Sequence, residues 1–419
     1  MDTTLPVPAR PPHHARGLRL GTALAAARSA AWLSRHLTGG EGHAIGGRTL
    51  LAFDPQAPAE LSAGRDLILV SGTNGKTTTT AMLTAALRTG APTASNTDGG
   101  NTPVGLVSTL TEDPADRVVL EVDEGWLPWA VARLRPRCVV LLNLSRDQLH
   151  RHPEVHRLAA EWRKALTEVP LVVANADDPA VAWSASAARS RVWVSAGLGW
   201  TNDSLTCPDC GGLLSREEGS WSCGCGYRRP PVSWSVAGGR VRHHGQDVGL
   251  EAALPGDANL GNAALAIAAA ATAGIAPDAA ARAVGGVRQV AGRYATLPHG
   301  NQAVRLLLAK NPAGWDAALR SIEGSTAPLV AAFNADGVDG RDPSWLYDVG
   351  FDRLAGRTNT VCGRRGTDML VRLRMDGLAP VGQFESLDGA LRALPSGPVD
   401  VVANYTAFQQ ARRVLGHAA

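Results

Sequence analysis

Short apolar runs recur along the chain and alternate with stretches of helical spacing. Leu67–Val70, Val118–Val122, Cys138–Leu142, Leu171–Ala174 and Val192–Val194 are strand-length, rich in branched residues and free of charge in their centres, the pattern of strands buried on both faces. Between the first two, AMLTAALRTG from Ala81 has helical spacing and stops at Gly90, where a left-handed residue can end a helix. Apolar strands separated by helices predict a mostly parallel sheet covered on both sides. Ligands of such sheets gather at the carboxyl ends of the strands. The alternation resumes at Val304–Ala309, Leu329–Phe333, Thr360–Cys362 and Val399–Ala403, predicting a second α/β domain. Between the two lie a buried, Ala-rich helix entered through Asn259 and Asn262, then a hinge over Gly285–Gly292. Ahead of the first sheet, GTALAAARSAAWLSRHL carries Arg28 and Arg35 inside its apolar stretch. A secretory core would not tolerate them, so the segment predicts an amphipathic helix, packed on the next domain or resting on a membrane surface. The glycines of Gly39–Gly47 predict a linker. The expected organisation is an N-terminal helix and linker over 1–48, a central domain over 49–291 with an insert at about 203–229, and a C-terminal domain over 292–419.

A chain of 419 residues with 45% hydrophobic and 19% charged residues has ample length for two or three buried cores. Its formal net charge of +3, without a concentrated Lys/Arg tract, gives no argument for nucleic-acid binding. The apolar runs stay below membrane-spanning length, so a soluble protein is expected. Six cysteines in a chain this long are no disulfide framework and point to a reducing compartment.

The stretch Val70–Thr80, VSGTNGKTTTT, joins the first strand to the first helix. Gly72 and Gly75 let the backbone curl so that the amides of Gly72, Thr73, Asn74, Gly75, Lys76, Thr77 and Thr78 line a concavity, and the helix start adds a positive dipole end. That is a phosphate site, with Lys76 for the β/γ-phosphates and the Thr77 hydroxyl for Mg²⁺. The spacing is a variant, because Val70 stands where the longer pattern has a further glycine. The second strand ends in Glu121, Asp123 and Glu124, and the third in Asn143, Arg146, Asp147 and His150. Mg²⁺ takes carboxylate and hydroxyl oxygens, so Thr77 and Glu121 can share one octahedral site. Cys207 and Cys210, then Cys223 and Cys225, fall on two tight turns nineteen residues from first to last. Four thiolates so placed suit a closed tetrahedral zinc site, structural because no coordination position stays open.

GTNGKTTTT, LEVDE, LLNLSRDQL, NADDP and Asn-x-x-Asn at a helix start occur in an order that resembles the Mur ligase family. The four-cysteine ribbon, LLLAKNPAGW, FNADGVDGRDPSWLYD and NYTA resemble its branch of lipid II isoglutaminyl synthase ligase subunits. The resemblance covers the chain from about Leu51 to its end. It implies ATP, Mg²⁺ and Zn²⁺ as cofactors, and an amide-forming reaction in which a carboxylate is phosphorylated and ammonia attacks. It also implies a GatD-like glutamine amidotransferase subunit as heterodimer partner, lipid II as substrate at the membrane surface, and a cytoplasmic protein acting at the inner face of the membrane. Position by position, Lys76 and Thr77 bind phosphate and Mg²⁺, Glu121 a metal ion, Asn262 adenine and Arg293 the nucleotide phosphates. Lys310 reaches the transferred phosphate or the acyl phosphate, and Asp348 completes the partner's Cys-His pair. A UDP-binding N-terminal domain is not expected, which fits a substrate recognised while attached to lipid. The rival readings are an amino-acid-adding Mur or folate-type ligase, and a nucleotide-binding scaffold subunit without chemistry.

Overall fold

Six parallel strands carry the phosphate loop in the computed structural model, which describes residues 18–38, 43–96, 100–147, 155–217, 219–290, 294–336 and 342–416. They are β1 (Asp66–Ser71), β2 (Thr93–Ser95), β3 (Arg117–Glu121), β4 (Cys138–Leu141), β5 (Leu171–Asn175) and β6 (Ser190–Ser195), ordered β2-β3-β1-β4-β5-β6 across the sheet. Every residue of β1 is buried. Ile68 and Val70 face the core built with the Lys76–Arg88 and Asp257–Thr272 helices. Leu67 and Leu69 face the opposite core, shared with the Leu127–Leu134 and Val155–Leu166 helices. The unbroken apolar run thus follows from burial on both faces.

The insert forms a hairpin of β7 (Leu214–Glu217) and β8 (Ser220–Cys223). The chain then returns to the sheet edge, where β9 (Trp234–Ala237) runs parallel to β6 and β10 (Arg240–His243) and β11 (Gln246–Asp247) extend it antiparallel. In the Asp257–Thr272 helix every residue from Ala263 to Ala270 is buried, and the alanines among them let it lie close against the phosphate-loop helix.

A second sheet holds β12 (Tyr294–His299), β13 (Gln302–Leu308), β14 (Leu329–Ala332), β15 (Asn359–Cys362), β16 (Gly382–Phe384) and β17 (Gly397–Ala403) in the order β12-β13-β17-β14-β15-β16. All neighbours are parallel except β12 and β13. Trp315, Phe333 and Phe351 fill one of its cores.

The linker expected at Gly39–Gly47 needs correction. A second helix, His43–Phe53, begins inside it and packs antiparallel to Leu18–Thr38, so the boundary set at residue 48 falls within a helix. Its glycines serve close packing. A Cβ on Gly46 would lie 3.3 Å from Cβ of Ala31, and one on Gly47 would lie 2.4 Å from the Val104 carbonyl oxygen. Gly47→Ala should therefore lower stability by about 1–3 kcal/mol through overpacking, although alanine favours helices. A thermal midpoint at or above that of the parent would contradict this packing. Among the described residues, no helix is long and apolar enough to cross a membrane.

Candidate active site

The phosphate loop turns on two glycines in conformations that side chains disfavour. Gly75 has φ 88° and caps the Lys76–Arg88 helix. A Cβ there would come within 2.4 Å of Oδ1 of Asn262, and one on Gly72 within 2.8 Å of Cβ of Leu142. The loop is braced by the segment after β4. Thr73 N donates to Asn143 O (2.8 Å), Asn74 N to Asn143 Oδ1 (3.0 Å), and Asn143 Nδ2 to Asn74 O (3.0 Å). Ser145 N donates to Thr73 Oγ1 at 3.0 Å. The amides opening the Lys76–Arg88 helix have no intrahelical acceptor, which is what an anion needs there.

Lys76 is buried, its ammonium donating to Gly72 O (2.5 Å), Thr73 O (3.2 Å) and Glu124 Oε2 (2.7 Å). Burial pushes its pKa down, but Glu124, Glu121 and Asp123 more than offset this, and the ammonium is held above the ordinary lysine range. Glu124 is shifted the opposite way: burial raises its pKa, and Lys76 and Lys310 outweigh that to keep it ionised. Sequence reasoning placed Glu124 among the strand-end acids but gave the weight to Glu121. What singles Glu124 out is its position on the turn Glu124–Trp126, capped by Asp123, which aims it at the loop lysine.

Glu121 ends β3 opposite Val70. Asn96 fixes its backbone through Glu121 N to Asn96 Oδ1 (2.7 Å) and Asn96 Nδ2 to Glu121 O (2.8 Å). Asn101 Nδ2 donates to Glu121 Oε1 at 3.0 Å, while Oε2 is buried with no hydrogen-bond partner. An orphaned carboxylate oxygen, and the Thr77 hydroxyl on the loop helix, fit a Mg²⁺ ligand set. Asn101 gave no signal in the sequence beyond lying in a loop.

The second domain closes on these groups. Lys310, just past β13, pairs with Asp147 on the segment after β4. The neighbouring Asn311 caps the Pro312–Ser321 helix and donates through Nδ2 to Asn74 Oδ1 at 3.3 Å. Asp348 sits on the turn Ser344–Asp348, with Oδ2 3.1 Å from Nη2 of Arg146, itself paired with Asp203. Its side chain is 38% exposed, so it reaches both solvent and the domain junction. Arg293 lies outside the described residues.

Behind the loop, a cavity of about 340 Å³ opens between Asn262, Asn175, Leu198 and Trp200 of the first domain and Asp316 and Arg320 of the second. Its size and mixed lining suit a nucleoside.

The four cysteine sulfurs lie within 4.8 Å of one another, Cys207 to Cys225 at 3.8 Å and Cys210 to Cys223 at 3.5 Å. Zn–S bonds of about 2.3 Å put tetrahedral sulfurs at about that separation, so the residues fit zinc. The ribbon is fastened to the wall of the cavity. Trp221 Nε1 donates to Ala176 O (3.0 Å), Tyr227 OH to Pro179 O (2.9 Å), and Arg229 Nε to Asp177 Oδ1 (2.6 Å). Asp177 Oδ2 in turn accepts from Gly197 N (2.7 Å), and Asp178 Oδ2 from Leu144 N (2.8 Å). Pure protein should hold about one zinc per chain, and less than about half by elemental analysis would count against the site. Stripping it should weaken ATP binding about tenfold, the scale of one charged hydrogen bond; unchanged calorimetric affinity would show the wall independent of the ribbon.

The chain matches the model of the Mur ligase middle domain over residues 70–270 and that of the MurT ligase C-terminal domain over residues 308–408. It is 27% identical to the lipid II isoglutaminyl synthase (glutamine-hydrolyzing) subunit MurT of Streptococcus pneumoniae, over 95% of this chain and 97% of that one. Among solved structures it resembles a pseudomurein peptide ligase type C from Methanothermus fervidus (TM-score 0.66, 19% identity, 85% of this chain and 79% of that one). It also resembles Mycobacterium tuberculosis folylpolyglutamate synthase (TM-score 0.60, 18% identity, 93% of this chain and 99% of that one).

Proposed function

Because the chain belongs to the Mur ligase family, we propose that it is the ATP-dependent ligase subunit of a lipid II amidating complex. In this reading it converts the α-carboxylate of D-glutamate in the stem peptide to the amide of D-isoglutamine. The observation that carries the reading is the convergence of Lys76, Glu121, Glu124 and Lys310, drawn from both domains, on one buried site. Such a site suits phosphoryl transfer to a bound carboxylate. A carboxylate resists nucleophiles because its charge repels them and oxide leaves poorly, and phosphorylation removes both obstacles. The γ-phosphoryl passes from ATP to a carboxylate oxygen, ADP departs, and ammonia then displaces phosphate to give the amide.

Each group has a place in that sequence. The helix-start amides and Lys76 hold the β/γ-phosphates, and Lys310 reaches across from the second domain to the oxygens of the transferred group. Glu124 keeps Lys76 charged and aimed. Thr77 and Glu121 would hold Mg²⁺, which neutralises phosphate charge when bound. Asn262 lines the cavity that would take adenine.

The ammonia must come from elsewhere. Cys138 and Cys362 are buried, and burial pushes each thiol up to about 12, far from a nucleophilic thiolate. The remaining four cysteines form the ribbon. A GatD-like glutaminase is the proposed source, and Asp348 the residue that would orient its histidine. Two rivals stay testable by the acceptor. ADP release that needs lipid II and ammonium supports an amidating ligase. Release that needs an amino acid favours an amino-acid-adding enzyme, and no acceptor-dependent release favours a scaffold.

A further inference from the structure

Charge and exposed apolar surface are concentrated at the N-terminus in a way the ligase site does not use. The first 53 residues hold six arginines against two acidic residues, although the whole chain carries only +3. The helices Leu18–Thr38 and His43–Phe53 contain no acidic residue. Arg28, Arg35 and Arg48 are exposed on them. So are Trp32 (55%), Leu33 (49%) and Ile45 (41%), side chains large enough to favour burial.

These residues share one end of the hairpin. The 3.3 Å approach between a Cβ on Gly46 and Ala31 sets Ile45 and Trp32 at the same level of the hairpin. Arg28, Trp32 and Arg35 follow the spacing of a single helical stripe. Trp32 stacks on His36 with ring centroids 4.3 Å apart, which orders the indole at the surface. The buried side of the hairpin, with Leu20, Leu24, Ala27 and Leu50, packs on Val107 of the Pro103–Glu112 helix. Gly47 abuts Val104 at the start of that helix, three residues beyond Asn101, which bonds Glu121. The exposed tip therefore lies at the same end of the Pro103–Glu112 helix as Glu121.

We propose that this hairpin tip docks on an anionic lipid surface, with Trp32, Leu33 and Ile45 entering the interfacial layer and Arg28, Arg35 and Arg48 meeting headgroup phosphates. Exposed tryptophan belongs at a membrane interface, where its apolar ring and polar N–H both find partners. Each arginine near an anionic leaflet strengthens binding about fivefold. Docking here would hold a lipid-borne carboxylate near Glu121, a benefit that rests on the lipid II reading; the docking itself does not require it.

The test uses the full chain and vesicles of phosphatidylcholine with and without phosphatidylglycerol. Co-sedimentation should require phosphatidylglycerol and weaken with salt. Reversing the three charges together (Arg28→Glu, Arg35→Glu, Arg48→Glu) should cut binding at least about a hundredfold. Trp32→Ser with Ile45→Ser should weaken it in the same vesicles, with circular dichroism and ATP affinity unchanged. Equal sedimentation of parent and charge-reversed chains would overturn the proposal. So would self-association, or a glutaminase complex, that is lost in Trp32→Ser, because the face would then bind protein. Vesicle binding without any amidation would leave docking intact and sink the ligase reading; amidation without vesicle binding would do the reverse.

Discussion

Replacing Lys76 with alanine is expected to lower turnover at least about a thousandfold, the scale of losing a charged donor aimed at a transition-state oxyanion. Position alone would make this a clean active-site variant, but Lys76 is 3% exposed and bonded to an equally buried Glu124. Removing one partner strands the other charge, so Lys76→Ala should also cost about 3–5 kcal/mol of stability. Lys76→Ala combined with Glu124→Gln separates the effects. The double variant should recover much of the thermal midpoint and none of the turnover. Turnover that returned with stability would mean Lys76 only holds the loop together.

Asp348→Asn is expected to abolish glutamine-dependent amidation, by about 10⁴-fold if the residue orients a histidine tautomer as the acid of a catalytic triad does. Activity with free ammonium should survive, because asparagine can still accept from Arg146 through its carbonyl oxygen. The ion pair of Asp348 with Arg146 makes this a demanding test, since the same carboxylate joins the two domains. Arg146→Ala serves as the comparison: it breaks the junction and leaves the acid. Equal loss with both nitrogen sources in Asp348→Asn would place Asp348 in the ligase site or the fold.

Strand-by-strand, the central sheet was legible because its strands are buried on both faces. Cys138–Leu142 in the sequence is β4, Cys138–Leu141, in the fold, and Leu171–Ala174 is β5 with one residue more. The strands that escaped notice are short or only partly buried. β12 is only partly buried along its length, and β10 and β11 mix arginine, histidine and glutamine with few apolar positions. Their pairing is decided by the neighbours they join, which local pattern does not encode. The glycines near the N-terminus misled for a related reason. Gly46 and Gly47 have the composition of a linker, yet their role is to let helices approach, a tertiary fact. At the site, sequence showed which residue types stood at strand ends, and not how they pair. Glu124 with Lys76, Asp147 with Lys310 and Asp348 with Arg146 each join segments 48 or more residues apart.

If this chain supplies the ligase half of a two-protein amidation, the amide nitrogen of glutamine must reach the stem peptide of lipid II. The chain is co-purified with a candidate glutaminase and given ATP, lipid II and glutamine labelled with ¹⁵N at its amide, and the stem peptide is read by mass spectrometry. The expected result is one ¹⁵N-amide on the D-glutamate α-carboxyl, dependent on ATP and lost in Lys76→Ala. Lipid II that stays unamidated while the chain couples ATP hydrolysis to the addition of an amino acid would contradict it.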